Sequence, residues 1–159
     1  MLIKIFIATM AVSLSAQAPV WDLSKVDRVL QNSDDPTYNA VATRTKNGGV
    51  RITQSPFDVL TWGKVAILIR DLDFDRHPVL TVRLGSLDPS CSLKVGADKD
   101  WKDFHVLLTS QVSTGRWDVD LARETGWFGR KSFLLILIVE GPKKTVTVDL
   151  ASIRYTKSK

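Results

Sequence analysis

A chain of 159 residues, 44% hydrophobic and 25% charged, is long enough for one compact domain with a substantial core and shows no sign of a second. Its formal net charge of +5 is mild and comes without a run of like charges or a basic stripe, which excludes the electrostatic footprint of nucleic-acid binding. A single cysteine, Cys91, excludes an internal disulfide; with no base or cationic cluster beside it, the thiol reads as a buried structural group near a strand edge.

The chain opens with Lys4 as a positive flank, an apolar stretch from Ile5 to Leu14, and the small-x-small site Ala16-Gln17-Ala18. This pattern predicts an export signal over 1–18 and a mature single domain over 19–159, beginning at Pro19. The apolar stretch is shorter than the roughly 20 residues of a spanning helix, so a removed signal is expected rather than a retained anchor. The product is then secreted or periplasmic, with no membrane attachment. Removal takes away one lysine and no acid, so the charge falls from +5 to +4.

Val20 to Leu23 reads as a short first strand, followed by a polar stretch with a helical turn around Val26–Leu30 and a loop from Gln31 to Pro36. Tyr38 to Arg44 and Val50 to Gln54 form a hairpin whose connection holds Asn47-Gly48, a pair that tolerates positive φ. Lys64 to Asp71 is apolar on both faces, which predicts a central strand. A turn from Asp71 to Pro78 leads to a strand with Leu80, Val82 and Leu84 inward, and Ser92–Val95, Phe104–Leu108 and Trp117–Leu121 supply further short strands. Phe133 to Val139 is a continuous apolar run, read as a strand buried on both sides. After Glu140-Gly141-Pro142-Lys143-Lys144, the return leg alternates, with Val146, Val148 and Leu150 on one face, so a closing β-hairpin is expected. Apolar parity switches at Ile153 and Tyr155, which predicts a bulge at Ala151-Ser152. Together these elements predict an all-β jelly-roll sandwich of two antiparallel sheets.

The order WGKVAILIRDLDFDRHPVLTVRL, LKVGADKDW, TGRWDVDL, TGWFGRKSFLLILIVEG and VTVDLASIRY, from about Trp62 to Tyr155, resembles the galactose-binding-domain-like jelly rolls. Many of that family serve as carbohydrate-binding modules beside secreted glycan-degrading enzymes. The resemblance also implies a structural calcium ion, held by an acidic residue on the last strand and one on the first. The matching positions are Asp149 and Asp22, where many relatives start with a glutamate. Calcium takes six to eight oxygens, and a solvent-facing Asp on an alternating strand is the competing reading.

Five tryptophans invite a sugar-binding reading, because the C–H face of a pyranose stacks on an exposed indole. Trp117 shares parity with Val119 and Leu121 and reads as interior, as does Trp21. Trp101 sits in a charged loop, Gly96 to Asp103, and is the first choice for a ligand contact. Trp62, before Gly63, and Trp127, in Thr125-Gly126-Trp127-Phe128-Gly129, either cap the core or face ligand, and Arg116 is the accompanying polar candidate. Asp71, Asp73 and Asp75 open like a calcium loop, but position six is Arg76 and position twelve is Val82. His77 and His105, the latter expected to face outward, lack ligand spacing for a transition metal. There is no nucleophile elbow, metalloprotease signature or phosphate-cradling glycine loop. The expectation is a secreted non-catalytic carbohydrate-binding module or accessory protein for polysaccharide recognition, with an extracellular or periplasmic protein-interaction module as the alternative and a small polysaccharide-active enzyme third.

Overall fold

The computed structural model describes residues 18–25, 40–54, 62–89, 91–100, 102–112, 114–141 and 145–156. The expected signal segment up to residue 17, the turn around Val26–Leu30, the loop from Gln31 to Pro36 and Trp101 lie outside these residues.

Among the described residues, ten strands form two sheets. They are β1 (Trp21–Asp22), β2 (Ala40–Arg44), β3 (Val50–Gln54), β4 (Trp62–Asp73), β5 (Pro78–Leu87), β6 (Ser92–Lys99), β7 (Asp103–Ser110), β8 (Gly115–Asp120), β9 (Arg130–Glu140) and β10 (Thr145–Tyr155). A six-stranded sheet runs β2-β3-β10-β5-β8 with β1 also against β10, and a four-stranded sheet runs β4-β9-β6-β7. Every pairing is antiparallel. The all-β jelly-roll sandwich is therefore the fold.

The core lies between the sheets because one parity of each long strand is apolar. Val65, Ile67 and Ile69 of β4 and Phe133, Leu135, Leu137 and Val139 of β9 meet Val50, Ile52, Leu80, Val82, Val146, Val148 and Ile153 from the other sheet, all essentially sealed from solvent. Each such side chain contributes about 1.5–3 kcal/mol of transfer free energy.

The β2–β3 hairpin has its expected turn: Thr45 N–H donates to Gly49 O, Gly48 N–H donates to Thr45 O, and Gly48 takes φ of 81°. The strand expected over Trp117–Leu121 stops at Asp120. That side chain caps a single helical turn, α1 (Leu121–Thr125), by accepting from Arg123 N–H, and Gly126 closes it at φ 70°. In place of the expected turn from Asp71 to Pro78, β4 runs on to Asp73, which caps a 3-10 turn over Phe74–Arg76.

Three expectations are overturned. β9 and β10 do not form a hairpin: β9 pairs with β4 and β6, whereas β10 pairs with β1, β3 and β5, so the connection between them crosses from one sheet to the other. Alternation defines a strand and its inward face, and it says nothing about which sheet receives it. The bulge falls earlier than Ala151, with register shifts between Thr147 and Leu150, and it places Asp149 beside Gly49 and Gly85. Finally, β4 is an edge strand rather than a central one, and the even positions of β9 from Leu134 to Ile138 and of β4 up to Leu68, before its register shift, face away from the core. There Ala66 and Ile136 are buried with Leu134 and Ile138 in a second, smaller apolar cluster on the outside of the four-stranded sheet.

Candidate functional site

That outer cluster is the floor of a hollow of about 350 Å³, lined by Trp62, Lys64, Asp98, Phe104, Ile136, Ile138 and Glu140. The register explains how these residues meet. Trp62 lies opposite Glu140, which lies opposite Ser92; Lys64 lies opposite Ile138; Leu134 lies opposite Asp98, which lies opposite Phe104. All point outward because they share the parity that the core does not use. At the centre is Gly96, opposite Ile136, and the space a side chain there would occupy is filled by the Phe104 ring. Phe104 nevertheless remains 45% exposed.

From Ser92, beside Glu140, to Asp98 is six residues along β6, or roughly 20 Å. The hollow is thus a shallow trough with an indole near one end and a phenyl ring near the other. Its polar groups are differently committed. Glu140 is held by Lys94 Nζ at 2.5 Å and by the Ser92 hydroxyl at 3.0 Å. Lys64 Nζ stands 5.7 Å from the centroid of the Trp62 ring, a cation–π distance. Asp98 is only 5% exposed, and its Oδ1 has no hydrogen-bond partner among the described residues.

The other expected ligand residues are elsewhere. Trp127, 9% exposed, packs edge-on against Phe74, Phe133 and His105 in the main core, so its ring cannot serve as a platform. Its Nε1–H donates to Asp103 Oδ2 at 2.7 Å. This bond, then the charge and hydrogen bond of His105, hold the Asp103 carboxyl below the ordinary aspartate value. His105 turns inward rather than outward, leaving Phe104 and Val106 as the exposed pair on β7. Arg116 is exposed on the six-stranded sheet, 3.8 Å from Asp118. Asp118 is itself held below the ordinary value by the Thr81 hydroxyl first, then by Arg154 and Arg116. Trp21 and Trp117 pack against the core as expected.

The expected calcium ligands do not fit a cation cage. Asp22 Oδ1 accepts from Ser24 N–H, and Asp149 faces the Arg83 guanidinium at 3.9 Å, a competing charge. Among the described residues no group of three or more His, Cys, Asp and Glu side chains converges. Asp73 and Asp75 are spent on backbone amides, those of Asp75 and Gly129.

The site residues that sequence reasoning missed are Phe104, Asp98, Lys64, Ile136, Ile138 and Glu140. Their signal is the doubly apolar character of β4 and β9: on a two-sheet sandwich only one face of each strand belongs to the core, so a second apolar face announces a covered surface outside it.

No family model and no curated protein matches the sequence. Solved structures resemble its fold. PfGH50B superimposes with a TM-score of 0.57 at 9% identity, over 89% of this chain and 24% of that one. Xylanase10C from Cellvibrio japonicus, solved in complex with xylopentaose, superimposes with a TM-score of 0.51 at 14% identity, over 82% of this chain and 29% of that one. At these identities the likeness is one of fold, and this chain spans less than a third of either protein.

Proposed function

We propose that the protein is an exported, non-catalytic glycan-binding module that takes a polysaccharide segment along the trough of the four-stranded sheet. The observation that carries this reading is the trough itself. Two partly exposed aromatic rings, Trp62 and Phe104, border an apolar floor into which three ionisable side chains are set, on a face the core does not need. Aromatic faces take the C–H surface of a pyranose while charged and polar groups take its hydroxyls. The fold's likeness to parts of PfGH50B and of a xylanase supports it.

A hydrolytic role is disfavoured by spacing. The backbone positions of Asp98 and Glu140, the two acids of the trough, stand roughly 20 Å apart along the strands, too far for their side chains to close to the roughly 5–9.5 Å between carboxyls that glycoside hydrolysis uses. Export rests on the first 18 residues, whose pattern is that of a signal.

Affinity electrophoresis in gels containing soluble xylan, a β-1,3-glucan or agarose tests the proposal. Trp62→Ala and Phe104→Ala should each weaken retention by roughly tenfold or more, while the melting temperature moves little, since neither ring belongs to the main core. Unchanged retention in both variants removes the trough as the site. The rival reading, a protein-binding face, draws on Leu68, Phe104 and Val106, all exposed on this same sheet. It gains if the folded chain is silent toward every polysaccharide.

A further inference from the structure

Asp98 is the group in this trough that the protein itself does not use. Its carboxylate lines the hollow, is almost wholly buried, and carries an oxygen without a donor. An unsatisfied buried acceptor is destabilising, and a charged one more so, unless something supplies the missing donor. The residues directly opposite it offer none: Leu134 lies across from Asp98 on β9 and Phe104 on β7, and among the described residues no donor reaches Oδ1. The lysines of the trough are remote. Lys94 is four residues away along β6, roughly 13 Å, and is engaged by Glu140; Lys64 lies in the same cross-strand row as Lys94.

We infer that Asp98 selects the ligand: it accepts hydrogen bonds from hydroxyls of an uncharged sugar stacked on Phe104, and it rejects sugars bearing a carboxylate or sulfate there. A carboxylate has two oxygens that match two neighbouring hydroxyl donors, and such charge-assisted bonds are the strong ones. An anionic sugar would bring a second negative charge against a buried first. Lys94, beside the hollow, pairs with Glu140, and Lys64 within it offsets Asp98, so nothing favours a chain of uniform charge. Oδ1 is closed to water in the free protein, so a ligand reaching it must displace a neighbouring side chain, and the half-exposed Phe104 ring, which leans over Gly96 and lies across from Asp98, is our candidate. The ring is free to move without disturbing the main core.

This inference rests on the glycan reading of the trough and is tested separately from it. Titrate the full chain, and its Trp62→Ala, Asp98→Ala and Asp98→Asn variants, with neutral pentasaccharides of xylose, glucose (β-1,4 and β-1,3) and agarose, with a galacturonate pentamer and with a glucosamine pentamer. The wild type should prefer a neutral probe. Asp98→Ala should lose roughly ten- to a hundredfold of that affinity, and Asp98→Asn, which keeps the shape, should narrow the gap between neutral and galacturonate probes. Both variants should melt no lower than wild type, since they remove an unpaired buried charge. If Asp98→Ala binds as well as wild type while Trp62→Ala does not, the role of Asp98 is lost and the glycan site stands. Preference for galacturonate or glucosamine in the wild type also overturns it. A wild type that holds no probe ends the glycan reading and this one with it.

Discussion

The indole of Trp127 is buried among aromatic rings, yet its one polar atom is satisfied by a carboxylate at the surface, Asp103, which also binds His105 Nε2 at 2.8 Å. That bond has a pH signature. Because the Asp103 carboxyl titrates below its ordinary value near 3.8 in the folded chain, the unfolded chain takes up the proton first as pH falls. The stabilisation is fully present above the unfolded-state value and is lost as pH drops through the folded one. Asp103→Asn, which still offers an oxygen to the indole but cannot ionise, should therefore lower the neutral plateau of a melting-temperature profile and flatten its acid limb below about pH 4, while matching the wild type at the lowest pH. Trp62 shows the same residue type under the opposite arrangement: half-buried, beside a lysine, and outside the main core. Residue type alone did not separate the two. Both stand next to glycines in the sequence, and only the packing of Phe74 and Phe133 around Trp127 decides that one ring is interior.

At the level of elements, β10 carries most of the register of the larger sheet, and its bulge is accommodated by two glycines. A methyl at Gly49 would meet backbone, the Val148 carbonyl and the Asp149 Cα, whereas one at Gly85 would meet only the Asp149 carboxylate, the far end of a side chain able to swing away. Gly49→Ala is therefore expected to destabilise by about 2–3 kcal/mol, the range for overpacking, and Gly85→Ala by clearly less, as read from urea midpoints at unchanged slope. The strands themselves were legible in the sequence, since Val146 and Val148, Leu80 and Val82, and Val65 and Ile67 alternate as a half-buried strand must. The parity switch in β10 was legible as well, and only its position was misplaced. What alternation could not reveal was partnership. Residues 133–150 look like a hairpin because two alternating or apolar runs flank turn-forming residues, and only the pairings show that the two strands belong to different sheets. The trough is hidden in the sequence for a related reason: the apolar even positions of β9 read as a second buried face, whereas they are the floor of an outward one.

For the molecule as a whole, the pairings that close each sheet join distant parts of the chain: β1 with β10, β3 with β10, β4 with β9. Such a topology folds slowly, in milliseconds to seconds, because non-local strands must meet before burial rewards them. It also makes the last strand indispensable. A chain ending at Gly141 would lack the strand between β3 and β5 and would leave β1 without its partner, so no cooperative unfolding transition should be seen by circular dichroism, even though the four-stranded sheet keeps all its strands. The same β1–β10 pairing fixes where the described polypeptide enters and leaves. Trp21 lies against Ile153 on the six-stranded sheet, and the trough opens on the opposite one. A tether at either end therefore grips the domain by its back, so that when the chain is immobilised on a bead or joined to a larger body, the surface bearing Phe104 and Asp98 is turned outward to the surrounding medium.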